Sequence, residues 1–382
     1  MAGIYIHIPF CEHKCIYCDF YSVAPKESPA RYGLLVERFL SSLKNEIDLR
    51  AQDTRFHSTY ETVFFGGGTP SLLTPSNIRE ILEMLDARFT IQRKAEITLE
   101  TNPGTVDLGK LKAFKEVGVN RISFGIQSFH DDDLQFLTRI HNAEMAKQNV
   151  RNAFQAGFEN VSFDLIFSLP GQSLRRWKSN LEQAVELEPT HMSCYSLIVE
   201  PNTPLHRMVE SRQVTPLSVD RDAELYECTA ETLASSGFEQ YEVSNFARPG
   251  FRSVHNGNYW NHTAYLGFGP SAHSFWDRTR WSNVANVVEY SERLERGHVP
   301  VAFEEQLTSE QLMEEEVLLG LRSGGIDVAG FRKRYDRDLL NERGPLIQEL
   351  VQKDLLAFRE ERLRLTSKGY LLCDEICHSF LP

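Results

Sequence analysis

The sequence predicts an α/β protein whose main body is built from parallel βαβ units, followed by a smaller helical, winged-helix-like C-terminal domain. Three observations lead there. Short runs rich in Ile, Val, Phe and Tyr alternate with longer amphipathic stretches up to about residue 240. Polar residues recur at the ends of those runs. Beyond residue 300 the texture changes to closely spaced helical patterns around one hairpin-like run. These shifts divide the chain into a core over 1–237, a connecting segment over 238–300 and a C-terminal domain over 301–382.

The candidate strands are GIYIHI (3–8), TVFFGG (62–67), EITLET (96–101), RISFGI (121–126), NVSFDLIF (160–167) and MSCYSLIV (192–199). Between them lie helical patterns such as 77–89 and 173–187, with a further one at 218–236. Six such units can form a partial barrel or an open doubly wound sheet, and periodicity does not choose between them. Either way the C-terminal strand ends are where sites assemble. Cys11, Gly67–Thr69, Glu100, Gln127 and Asp164 all fall at or just beyond such ends. A further βα-like stretch leads into FEQYEVSNF (238–246), and residues 255–276 read as irregular, rich in aromatics and Gly. Helices are expected near 308–322, 327–341 and 345–353, then a hairpin at 355–366 and a last helix.

With 41 Lys and Arg against 53 Asp and Glu, the 382-residue chain carries a net charge of −12. That balance argues against nucleic acid or an anionic membrane as general partners. The C-terminal domain holds 11 Lys and Arg against 16 Asp and Glu, a net of −5, so its winged-helix texture does not imply DNA reading. No apolar run is long enough for a membrane span, and MAGIYIHIPF lacks the marks of a signal peptide. Seven cysteines, an odd number with three packed together, do not suggest a disulfide framework. A reducing, cytoplasmic setting is expected.

The three clustered thiols are Cys11, Cys15 and Cys18, spaced C-x3-C-x2-C. A closed structural site usually takes four ligands. Three thiolates on one loop can hold three corners of a [4Fe–4S] cluster and leave the fourth iron open to an exchangeable ligand. A zinc site completed by His13 or a distant histidine is the alternative, and three unconnected thiols the plainest one.

This motif after a first strand resembles the signature of the radical S-adenosylmethionine superfamily. YIHIPFC (5–11), GGGTPS (66–71), NPGT (102–105), GIQSF (125–129), LPGQ (169–172) and HNGNYW (255–260) resemble its coproporphyrinogen-oxidase-like branch. The resemblance implies a partial (β/α)6 barrel with a smaller C-terminal domain. It implies a [4Fe–4S] cluster on Cys11, Cys15 and Cys18, whose open iron chelates S-adenosylmethionine and whose electron cleaves it to a 5′-deoxyadenosyl radical. Tyr5, Tyr17, Gly67, Gly68, Thr69, Glu100, Gln127, Arg139 and Asp164 would line the S-adenosylmethionine site. For Arg139 a solvated helix charge is the bland reading, and for Tyr5 and Tyr17 simple packing.

Within this branch, the oxygen-independent oxidase pattern carries a further cysteine two places after the third. Here that position is Phe20. Only ten residues precede Cys11, whereas the oxidase has a substantial N-terminal extension. HNGNYW resembles the H-N-x-x-Y-W motif of the HemW-type heme-chaperone family. The resemblance therefore implies a heme carrier, with His255 the candidate heme contact, an acceptor protein to receive the heme and an electron donor for the cluster. His262 and His273 are rival ligands, His273 with the further option of facing the S-adenosylmethionine pocket. The oxidase, which decarboxylates two propionate side chains of coproporphyrinogen III, is the alternative. CDEICH (373–378) puts Cys373 and Cys377 on one helix face beside His378, a metal or heme option set against two buried helix cysteines.

Overall fold

A computed structural model describes residues 1–25 and 29–381. The six expected strands form: β1 (Ala2–Ile8), β2 (Thr59–Gly67), β3 (Thr90–Thr101), β4 (Arg121–Gln127), β5 (Asn160–Phe167) and β6 (His191–Ser196). They pair in that order, every neighbour parallel. The helices between them cover the outer face, as right-handed crossovers require. Strands β2 and β3 begin earlier than expected. β6 ends at Ser196, leaving 197–199 in the loop at the cavity mouth.

The outward residues of each strand are apolar. Ile4 and Ile6, Val63 and Phe65, Leu99, Ile122 and Phe124, Val161 and Phe163, Met192 and Cys194 are buried together against the helices. The inward residues are largely polar: Thr62, Thr98, Glu100, Arg121, Ser123, Ser162, Asp164, His191 and Ser193. Burial of the outer face supplies the hydrophobic driving force, so the inner face is free to line a site.

The curved sheet stays open: β1 and β6 do not meet. Beyond β6 lie two short strands, β7 (Glu239–Gln240) and β8 (Asn245–Ala247), with β8 antiparallel to β6. The stretch 238–246 is thus an antiparallel hairpin instead of another βα unit, because Ser244 and its neighbours turn the chain back at once. Beyond β1 lie β9 (Tyr265–Phe268), β10 (His273–Trp276), β11 (Thr279–Asn283) and β12 (Val301–Gln306). β9 is a seventh parallel strand, paired to β1. The segment 255–276 is therefore ordered, opening with a short helix, Val254–Trp260, capped by Ser253. Its Gly content hid the strand: a Cβ on Gly267 would stand 2.0 Å from the carbonyl oxygen of His273.

The C-terminal region builds its own core from helix Ser309–Arg322, shorter helices, and a three-stranded sheet of β13 (Ile326–Asp327), β14 (Leu356–Arg359) and β15 (Arg362–Leu365). The expected helix 327–341 breaks in two at Asp336, which takes a left-handed conformation with φ 53°. The backbone amide of Val243 donates to the carbonyl of Arg322 at 2.9 Å, tying this region to the β7–β8 hairpin.

Candidate functional site

At the C-terminal ends of the parallel strands lies a cavity of about 450 Å³. It is lined by Tyr17, Cys18, Gly67, Gly68, Thr69, Glu100, Gln127, Arg139 and Asp164, so eight of the nine residues expected around S-adenosylmethionine converge here. Tyr5 is the exception. It sits behind the wall, stacked with Phe64 and His255 at centroid distances of 6.2 and 6.4 Å, its hydroxyl 3.1 Å from His7 Nδ1.

The cysteine loop follows β1 and is closed at its base. Phe10 bridges to Val23, and the Cys11 amide donates to the Val23 carbonyl at 3.0 Å. Thr69 Oγ1 lies 3.5 Å from Cys11 Sγ, and Arg139 Nη1 lies 3.5 Å from Cys15 Sγ. Burial, with the neighbouring cysteines adding to it, pushes the Cys18 thiol up to about 11. Among the described residues, no three His, Cys, Asp or Glu side chains are drawn together closely enough for a single metal ion. His13 is exposed at the loop surface.

The glycine turn follows β2. Gly67 has φ +104°, and a Cβ there would stand 2.5 Å from the His7 ring; one on Gly68 would stand 2.7 Å from the Phe10 carbonyl oxygen. The turn presses directly on the base of the cysteine loop, with Gly68 and Thr69 amides donating to the carbonyls of Ile8 and Phe10 at 2.8 and 2.7 Å. Across it, Gly67 N–H donates to Glu100 Oε2 at 3.2 Å. Burial, with Asp164 nearby, raises Glu100 to about 8; burial raises Asp164 to about 6. Two carboxyl groups held this reluctantly ionised favour any cation or hydroxyl donor that enters.

Comparison with known proteins agrees with this geometry. Residues 5–184 match the radical SAM superfamily model, and residues 307–372 match the HemN C-terminal domain model. The heme chaperone HemW of Bacillus subtilis is 36% identical, over 100% of this chain and 99% of its own length. The chain belongs to the HemW family of radical SAM proteins. The heme chaperone HemW of Escherichia coli is 41% identical over 71% of this chain and 69% of its own length. Among solved structures, coproporphyrinogen III oxidase (HemN) from Escherichia coli, a radical SAM enzyme, superposes with a TM-score of 0.84. It covers 99% of this chain and 89% of that one at 23% identity, which establishes the shared fold.

The residues suit the cofactors of this superfamily. Three cysteines on one loop offer a [4Fe–4S] cluster three of its usual four thiolate ligands. Glycine backbone on one side, Glu100 and Asp164 on the other, and Arg139 beside Cys15 would offer acceptors and a cation to a zwitterionic ligand.

His255, the expected heme contact, lies outside the cavity lining. Its ring is buried, 1% exposed, with Nδ1 2.7 Å from Thr62 Oγ1 and Nε2 2.8 Å from Tyr259 OH. Both ring nitrogens are engaged, so neither is available to iron in this arrangement. Its amide donates to Glu96 Oε1 at 3.0 Å, and the ring stacks on Phe64 at 4.9 Å. Burial, with Arg121 nearby, lowers it to about 3, so it is neutral. From HNGNYW it is Asn256 that lines the cavity. His262 faces Glu315 at 3.2 Å, and neither it nor His273 lines the cavity. Cys373 and Cys377 lie in the C-terminal core, sulfurs 3.9 Å apart, with His378 exposed.

Sequence reading missed Arg121, Ser123, Ser193, Tyr195, Ile198 and Asn256 as cavity residues. The alternation of apolar and polar residues along β4, β5 and β6 could have found the first three. The same alternation puts Tyr195 on the inner face two residues beyond Ser193, whereas Ile198 lies past the end of β6, where exposure and not periodicity marks it.

Proposed function

We propose that this protein carries heme, binding it at the mouth of a barrel that holds a [4Fe–4S] cluster and S-adenosylmethionine, and passes it to an acceptor protein. The carrying observation is the full-length likeness to curated heme chaperones, combined with Phe20 at the cavity mouth where the oxidase pattern has a cysteine. Phe20 is 64% exposed, and Tyr195 and Ile198 are 41% and 66% exposed on the same rim. Such exposed apolar side chains beside a cavity suit a flat apolar ligand.

Cys11, Cys15 and Cys18 would hold the cluster, and Gly67, Gly68, Thr69, Glu100, Gln127, Arg139 and Asp164 the S-adenosylmethionine. When bound together, cluster and S-adenosylmethionine supply one-electron chemistry at the sulfonium. The chain's own contribution is placement: the closed loop orients the thiols, the glycine turn lets backbone approach, and the carboxyls accept from ammonium and hydroxyl groups. Seven free cysteines and the absence, among the described residues, of any helix able to cross a membrane accord with a cytoplasmic protein. An electron donor for the cluster and a heme acceptor are the partners this reading needs.

The test is an anaerobic heme titration of cluster-reconstituted protein, followed in the Soret band. One saturable site is expected, weakened about tenfold or more by the double substitution Phe20→Ser with Ile198→Ser. Unsaturable binding, or the same affinity after that double substitution, counts against the site.

A further inference from the structure

Arg121 is an unexplained charge. It stands at the N-terminal end of β4, two residues below Ser123, with its side chain on the inner face of the barrel. Only 2% of it is exposed, yet it lines the cavity. Its Nε is buried with no hydrogen-bond partner. Among the described residues, no carboxylate comes within ion-pair distance of its guanidinium. Buried arginines are normally paired, because an uncompensated charge in a protein interior is costly.

No described neighbour pairs with it directly. On the register partners Thr98 and Asn160 there is no charge. His191, one strand further, is bonded through both ring nitrogens to Ser162 and Tyr241 at 2.7 Å each. His255 is likewise saturated by Thr62 and Tyr259. Of the two inner carboxyls, Glu100 is engaged by the Gly67 amide and Asp164 lies 3.4 Å from Ser123 Oγ. Burial holds Glu100, at about 8, mostly protonated near neutral pH; Asp164, at about 6, is mostly ionised there and feels Arg121 across the cavity, but at more than ion-pair distance. The site therefore has a planar cation without a direct ion pair, small hydroxyls at Ser123 and Ser193, and an amide at Asn256, all lining one cavity. Guanidinium pairs best with a planar carboxylate.

We infer that Arg121 is an anion-binding residue at the floor of the cavity, receiving a carboxylate of the bound ligand. The inference rests on the functional reading above, in which both ligands bear carboxylates: the amino-acid end of S-adenosylmethionine and the propionates of heme. The carboxylate is the shared chemistry, and the experiment separates the two sources.

Four probes are titrated into reconstituted wild type, Arg121→Gln and Arg121→Lys under anaerobic conditions: heme, heme dimethyl ester, S-adenosylmethionine and decarboxylated S-adenosylmethionine. In wild type, removing the carboxylate from one ligand should weaken it roughly 10- to 100-fold, the scale of one charge-assisted contact. In Arg121→Gln that difference should vanish for heme, and for S-adenosylmethionine shrink to the share that chelation to the open iron contributes, while the carboxylate-free form binds as before. Arg121→Lys should recover part of it. The ligand pair that shows this pattern names the source. Equal affinities across variants overturn the inference, as does parallel loss for carboxylate-bearing and carboxylate-free probes.

Ligand-free melting gives a second, independent readout. An unpaired buried cation should not stabilise the fold, so Arg121→Gln should melt at or above the wild-type temperature. A variant that melts well below wild type, or does not fold, makes Arg121 an internal counter-ion and overturns the inference. Should wild type bind neither ligand, the heme-carrier reading fails, while the melting comparison still decides the role of Arg121.

Discussion

At the scale of single residues, Glu100 and His255 show how burial sets chemistry. Glu100 has a folded pKa near 8 against an unfolded value near 4.5. Below about 4.5 both states are protonated; between the two values the folded state keeps a proton that the unfolded chain has released. Ligand-free stability should therefore fall as pH rises from about 5 to 8. Asp164, raised to about 6, and Glu242, raised to about 7, both chiefly by burial, act with the same sign. Melting temperatures across that range should show the decline, and Glu100→Gln should flatten part of it. A slope unchanged by Glu100→Gln would contradict this assignment. His255→Ala should cost about 2–4 kcal/mol in urea unfolding, since it leaves the Thr62 and Tyr259 hydroxyls without their shared partner. Heme affinity of the folded variant should stay within about twofold. A loss of heme without loss of stability would restore His255 as an iron ligand. The motif around His255 was legible in sequence; its bonding was not, because Thr62 lies 193 residues away in the chain.

At the scale of elements, the site depends on two turns pressed together. Cys11–Cys18 and Gly67–Thr69 were visible as short motifs because their residue types answer local needs, thiolate ligands and a glycine conformation. Their mutual contact was not visible, since it comes from the parallel pairing of β1 with β2. Gly67→Ala must accept a strained φ and displace the His7 ring. It should lower stability by about 1–3 kcal/mol and weaken S-adenosylmethionine binding at least tenfold by calorimetric titration. Normal binding by this variant would mean the turn does not carry the ligand. The hairpin of β7 and β8 and the strand β9 escaped periodicity because two to four residues hold too little pattern, and their pairing is decided by the sheet edges they meet.

At the scale of the whole molecule, the parallel units and the separate C-terminal core followed from the rhythm of the sequence. Curvature did not, because open and barrel-like sheets share one strand pattern. The same fold serves HemN, so fold alone does not decide between carrier and oxidase. That choice rests on relatives and on the rim at Phe20. The most direct test supplies reconstituted protein, under reducing anaerobic conditions with S-adenosylmethionine, with coproporphyrinogen III in one sample and heme in another. Stoichiometric heme retention and no vinyl-bearing product are expected. Conversion of coproporphyrinogen III to protoporphyrinogen IX, with no specific heme binding, would contradict it.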